Sequence, residues 1–165
     1  MVRYRRNFVA GGIFFFTVTL ADRSSTALAD QVDALRAAFR TTRRAHPFAI
    51  DAIVVLPDHL HVVMTLPEGD ADFPNRWRLI KRRFTTTVMN TGTSVGRHRN
   101  GEHALWQRRF WEHTIRDDRD FERHVDYVIS IPSSTGWSRA CETGHILPFI
   151  ATSGVVCCAR TGLEI

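Results

Sequence analysis

Polar and apolar positions alternate near the start of the chain. Phe14, Phe16, Val18 and Leu20 share one phase, while Thr17 and Thr19 fall in the other. A period of two predicts a strand over 13–20, following the Gly11-Gly12 break. The period then lengthens, and Leu28, Val32, Leu35 and Phe39 predict a helix near 28–44. Residues 49–56 form a β-rich run, Pro57-Asp58 can turn the chain, and His59 to Leu66 returns, so 49–66 reads as a hairpin. The Pro67-Glu68-Gly69-Asp70 loop ends it. A second helix starts near Pro74, a good first-turn residue. Its apolar stripe is Trp77, Ile80, Phe84 and Val88, with Arg76, Arg82 and Arg83 mostly outside it. Residues 90–104, with Gly92, Gly96, Gly101, Arg97, His98 and Arg99, read as a basic loop. Phe110 to Arg116 predicts another strand, and Asp117 or Asp118 caps a third helix through Phe121, Val125 and Val128. The order β-α-β-β-α-β-α describes an α+β fold, an antiparallel sheet with helices packed on one face.

Composition narrows the function classes. The chain has 165 residues, 44% of them hydrophobic, enough for one domain with a core. No apolar run reaches the roughly 18 residues of a membrane helix. Arg3, Arg5 and Arg6 ahead of Phe8 to Leu20, with Ala27-Leu28-Ala29 beyond, imitate an export signal, but the strand alternation argues against it. Basic residues outnumber acidic ones, 22 to 17, and Lys81 is the one lysine. Arginine-dominated charge favours flat anions, phosphate above all, and makes nucleic acid the leading partner class. Three cysteines, all among the last 25 residues and two adjacent, fit no disulfide framework or zinc spacing and suggest a reducing compartment.

The chemistry-bearing residues are few. On a strand, His59 and His61 project from one face and Leu60 and Val62 from the other. Two neighbouring imidazoles can chelate a divalent metal, leaving positions for a third ligand and a substrate oxygen. With eight histidines, such a pair arises by chance about 0.4 times, so a solvated strand face is the competing reading. Tyr127 lies about 100° from the centre of its helix's apolar stripe. It is either a surface ring or a nucleophile, and a phenol attacks phosphorus well only when a metal polarises the phosphate. Arg3-Tyr4-Arg5-Arg6, Arg76 to Arg83, and Arg108-Arg109 with Trp106, Phe110 and Trp111 interleave cations and aromatics, a mixture that holds phosphates and stacks unpaired bases. Glu112 and His113 fit an acid–base role less well than a structural one. A zinc hydrolase using His59, His61 and Asp58 is a third reading, but it leaves the arginine–aromatic surface unexplained.

Several blocks stand out in order along the chain: Tyr4-Arg5-Arg6, Gly11-Gly12, Phe15-Phe16-Thr17-Val18, Leu56-Pro57-Asp58-His59-Leu60-His61 and Thr65-Leu66-Pro67-Glu68-Gly69-Asp70. Further on come Arg76-Trp77 with Ile80-Lys81, Trp106-Gln107-Arg108-Arg109-Phe110-Trp111-Glu112-His113 and His124-Val125-Asp126-Tyr127. Together they resemble the REP-associated tyrosine transposases, relatives of the small single-strand transposases with a His-hydrophobic-His (HUH) motif. The likeness runs over about residues 3–128. It implies a ferredoxin-like sheet, with Mg²⁺ or Mn²⁺ held by His59 and His61. It further implies that Tyr127 cleaves and rejoins single-stranded or hairpin repeat DNA through a 5′-phosphotyrosine link. Arg5, Arg6, Arg78 and Arg82 are then DNA contacts, and the setting is cytoplasmic and nucleoid-associated. Monomer and dimer are both open.

One departure changes this expectation. The family continues past the tyrosine as roughly Tyr-x-x-x-Asn-Pro-x-Lys-x-Gly, and the Asn completes the metal site; here that position is Ile131. Composition shifts at the same point, with only four charged residues after Tyr127 and 35 up to it. Ser130 to Gly136 can be encoded TCA ATC CCG TCA AGC ACG GGN. Moved back one base with an A ahead, this reads Ile-Asn-Pro-Val-Lys-His-Gly. The same shift lets the codons ending at Thr152 read Asp-Trp-Pro-Tyr-Ser-Ser-Phe-His-Arg-Tyr, again family-like. One base lost after the Val128 codon accounts for both. The expected organisation is a catalytic and DNA-binding domain over 1–128 and an aberrant, poorly ordered tail over 129–165. The alternative function is a catalytically dead hairpin binder without its third metal ligand.

Overall fold

The computed structural model describes residues 7–93, 95, 96, 101, 103–134 and 157–159, with backbone alone for 132–134 and 157–159. Its elements are β1 (Ile13–Thr19), α1 (Ala27–Asp30), α2 (Val32–Ala45), β2 (Ala49–Val55), β3 (His59–Thr65), α3 (Phe73–Asn90), β4 (Trp111–Thr114), α4 (Asp118–Ser134) and β5 (Cys157–Ala159). The strands form one antiparallel sheet in the order β4-β1-β3-β2-β5. The expected α+β class and the 49–66 hairpin are both present. The helix read over 28–44 is interrupted at Gln31, so α1 and α2 are separate. The strand read over 110–116 is shorter, Trp111–Thr114. Two described parts of the chain beyond residue 128 are regular: α4 continues to Ser134, and β5 pairs with β2.

Local chemistry sets the corners. Gly11 turns with φ 68°, and its N–H donates to the Asp70 carbonyl at 2.8 Å. A Cβ on Gly12 would stand 2.9 Å from the Val9 carbonyl and 3.0 Å from the Phe14 ring, so a side chain there would force the strand entrance apart. Asp72 caps α3 by accepting from the Asn75 amide, with Pro74 in the first turn.

The helices do not share a face. Helices α2 and α3 cover one face as expected, burying Leu35, Phe39, Trp77, Ile80 and Phe84 against Phe14, Phe16, Val18, Leu60, Val62 and Met64. Helix α4 lies on the opposite face, where Val128, with Phe121, Val125 and Ile131 partly buried, packs on Phe15, Ala52, Val54 and Val63. The physical reason is the unbroken apolar run in the central strands. Phe14, Phe15 and Phe16 are all buried, as are Leu60, Val62, Val63 and Met64. A strand apolar in both phases needs cover on both faces.

Arg76, grouped by the sequence with a basic surface, is instead an internal strut, 1% exposed. Its guanidinium donates to both carboxylate oxygens of Asp70 at 3.1 and 2.6 Å, and to the Asp72 and Pro47 carbonyls at 3.0 and 2.7 Å. The Arg76 hydrogen bonds, followed by that from the Asp72 amide, hold the Asp70 carboxyl below the usual range. Lys81 is likewise tied down, donating to the Gln107 carbonyl at 3.0 Å and lying over the Trp106 and Phe110 rings.

Candidate active site

The face covered by α4 carries the polar chemistry. In the middle strand β3, His59 and His61 stand opposite Thr19 and Thr17 of β1, while Leu60 and Val62 turn into the other core. The two imidazoles lie edge to face with ring centres 5.0 Å apart. Asp58, in the hairpin turn, accepts from His59 Nδ1 at 2.7 Å and pairs with Arg23 Nε at 2.7 Å. A carboxylate on Nδ1 orients the ring and leaves the lone pair on Nε2, as metal-binding histidines require. It also occupies Asp58, which is therefore an orienting group here. Thr17 Oγ1 meets His61 Nδ1 at 2.8 Å.

His61 is 7% exposed and stacks on Phe15 at 5.5 Å. Burial, then the neighbouring His59, lowers its pKa from 6.5 to about 4. At neutral pH it is an uncharged imidazole, the form that donates to a metal. The pair thus fits a divalent cation in donor type and orientation, with His61 uncharged.

Tyr127 reaches this pair across the α4–β3 gap. Its ring lies 5.4 Å from that of His61 and 5.9 Å from that of Phe15, edge-on to both, while the residue is 48% exposed. The apolar stripe of the helix sets this placement: Val128 is fully buried and Val125 partly so, which turns Tyr127 to the margin of the interface. Asp117 caps α4, accepting from the Asp120 amide at 2.8 Å. Ile131, one helical turn beyond Tyr127, packs against the apolar cluster and offers no lone pair.

A second polar group adjoins the first. His113 of β4 shares a 2.8 Å hydrogen bond with Asp120, and His124 Nδ1 lies 2.8 Å from the Asp120 carbonyl. The His113 and His124 rings stack at 4.7 Å, and His124 also meets Phe15 at 4.8 Å. Burial pushes the Asp120 carboxyl up, but the hydrogen bonds from His113 and the Arg116 amide outweigh it and leave the group below its usual range. Sequence reasoning missed Asp120, whose i,i+4 spacing to His124 was the available signal. Glu112 is buried and alternates to the other face of the strand from His113.

Among the described residues, the arginines expected as DNA contacts are not gathered at this site. Arg78 and Arg82 are on α3, whose packing face is on the other side of the sheet. Arg5 and Arg6 lie outside the described residues.

Known proteins resemble this chain closely. A relative from Escherichia coli (strain K12), described as "REP-associated tyrosine transposase", is 46% identical over 137 residues, 83% of this chain and 76% of the relative. The chain belongs to the REP-associated tyrosine transposases. A Haemophilus influenzae protein described as "Putative REP-associated tyrosine transposase" is 40% identical over 139 residues, 83% of this chain and 79% of the relative. A solved structure described as "Structure of the REP associates tyrosine transposase bound to a REP hairpin" superposes with a TM-score of 0.71 at 44% identity, covering 84% of this chain and 76% of that one. No family model matches the chain. Among the described residues, no helix of this transposase family member is long and apolar enough to cross a membrane.

Proposed function

We propose that this chain binds single-stranded or hairpin repeat DNA and carries a site for cutting and rejoining it through Tyr127. The observation carrying the proposal is the 5.4 Å approach of the Tyr127 ring to His61, with the phenol half exposed above an oriented histidine pair. His59 and His61 would hold Mg²⁺ or Mn²⁺. Such an ion, when bound, polarises a phosphate oxygen and steadies the departing one. Asp58 fixes the His59 ring, and Thr17 fixes that of His61. Phe15 and the α4 stripe place an apolar surface beneath the phenol. Tyr127 Oη forms the bond to phosphorus as the bond to the 3′ oxygen breaks, leaving a 5′-phosphotyrosine and a free 3′-OH; attack by a 3′-OH reverses the step. The hairpin named for the 44%-identical structure gives the substrate class.

Ile131 favours a second reading. A site with two imidazoles and an apolar neighbour holds its cation weakly, so the chain as written acts as a hairpin binder with little or no chemistry. The proposed origin is the single lost base after the Val128 codon, which also leaves 1–128 as the working domain and gives 129–165 a sequence unlike the family's. Incubation with a single-stranded repeat oligonucleotide and Mn²⁺ separates the readings. A covalent protein–DNA adduct that Tyr127→Phe abolishes supports chemistry, whereas hairpin binding without an adduct supports the binder. Resequencing the locus tests the origin: codons for Ser130 to Gly136 that cannot be read in the shifted frame overturn it.

A further inference from the structure

We propose that His113, Asp120 and His124 form a second cation site, separate from His59 and His61, that takes a transition ion of the zinc class. One ligand atom from each of the three residues lies within 4.8 Å of the other two. The three come from two elements, His113 from edge strand β4 and the other two from successive turns of α4. An i,i+4 pair on one helical face is a common way to present two ligands. Two imidazole nitrogens and one carboxylate oxygen suit Zn²⁺ with water in the remaining position, whereas Mg²⁺ prefers oxygen ligands and keeps its water.

The group is assembled before any ion arrives. Asp120 is 6% exposed and takes a backbone hydrogen bond from Arg116 at 3.2 Å. The stacked rings of His113 and His124 hold each other in place. Binding would replace the hydrogen bond between His113 Nε2 and Asp120 Oδ2. The imidazole proton passes from Nε2 to Nδ1, so a neutral histidine becomes a ligand with no net loss of a proton.

The Phe15 ring touches both His61 and His124, so the two sites neighbour each other without sharing a ligand. A cation here would fasten the first turns of α4 to β4, three residues ahead of Tyr127. Such a site stands apart from DNA cleavage, because metal uptake in the absence of DNA reveals it.

The test begins with the double variant His59→Ala/His61→Ala, which removes the other pair. Titrated calorimetrically with Zn²⁺ alone, this chain should bind one equivalent that is weakened at least about tenfold by His113→Gln and, separately, by His124→Gln. Each variant's metal-free melting is recorded, so that loss of fold is distinguished from loss of a ligand. Co²⁺ supplies a second readout on the same double variant. Visible bands without the near-ultraviolet thiolate-to-cobalt band mark nitrogen and oxygen ligands rather than any of the three cysteines. No uptake by the folded double variant overturns the proposal and leaves a hydrogen-bonded clamp. Uptake indifferent to both glutamine variants, or a cobalt spectrum of thiolate type, overturns it equally.

Discussion

Acidification should destabilise this fold through His61 in a defined pH window. Above pH 6.5 the imidazole is neutral in both folded and unfolded chains and contributes no pH dependence. As pH falls from 6.5 to about 4, the unfolded chain takes up a proton that the folded one refuses. Protonation would put a charge against the Phe15 face and beside His59. Stability is therefore lost across that window and levels off below it. The slope approaches about 1.4 kcal/mol per pH unit, for a total of at most about 3.5 kcal/mol, less to the extent that solvent reaches the ring. The carboxyls of Asp70 and Asp120, both held below their ordinary value of 3.8, lose their stabilising contribution only at lower pH and leave the window clear. The assay is urea unfolding between about pH 7 and 4.5, in metal-free buffer, of the unmodified chain and of His61→Gln. The unmodified chain should lose more stability than the variant as pH falls, and the difference should fade toward pH 6.5. Parallel losses in the two chains would refute the reasoning, since the buried imidazole would then titrate as it does in water.

Three other outcomes follow from the structure. Ile131→Asn should strengthen Mn²⁺ binding at His59 and His61 by about tenfold or more, at about 1 kcal/mol of stability for the apolar packing removed; calorimetry and urea midpoints measure the two, and an unchanged metal affinity defeats the third-ligand assignment. Arg76→Met should cost about 1–3 kcal/mol, because the Pro47 carbonyl and the partly exposed Asp70 carboxylate lose a hydrogen-bond partner, and an unshifted thermal melt would contradict the strut. Replacing Arg78 and Arg82 with Gln should weaken hairpin DNA binding and lower the slope of log affinity against log salt by about 1 for each phosphate no longer neutralised; an unaltered slope removes them from the interface.

Much of the fold was legible because short-range periodicity encodes it. The alternation through Phe14, Phe16 and Val18 marked β1, and the turn at Pro57-Asp58 marked the hairpin. His59 and His61 were legible as a pair for the same reason, since residues two apart on a strand must share a face. The side of the sheet taken by α4 was less plain, though Phe14-Phe15-Phe16 carried the signal: consecutive buried residues demand cover on both faces. Arg76 misled because charge predicts exposure, and nothing local announces that Asp70 and two carbonyls meet it inside.

The sequence by itself determined the elements, the two imidazoles on one strand face and the family likeness, because each rests on neighbours along the chain or on whole blocks of residues. Only the tertiary structure decided that Tyr127 meets His61, that Asp120 joins His113 and His124, and that Arg76 is internal. Those meetings bring residues on different elements to one place. They depend on which face each helix covers and at what register, and burial of apolar surface across the whole sheet sets both.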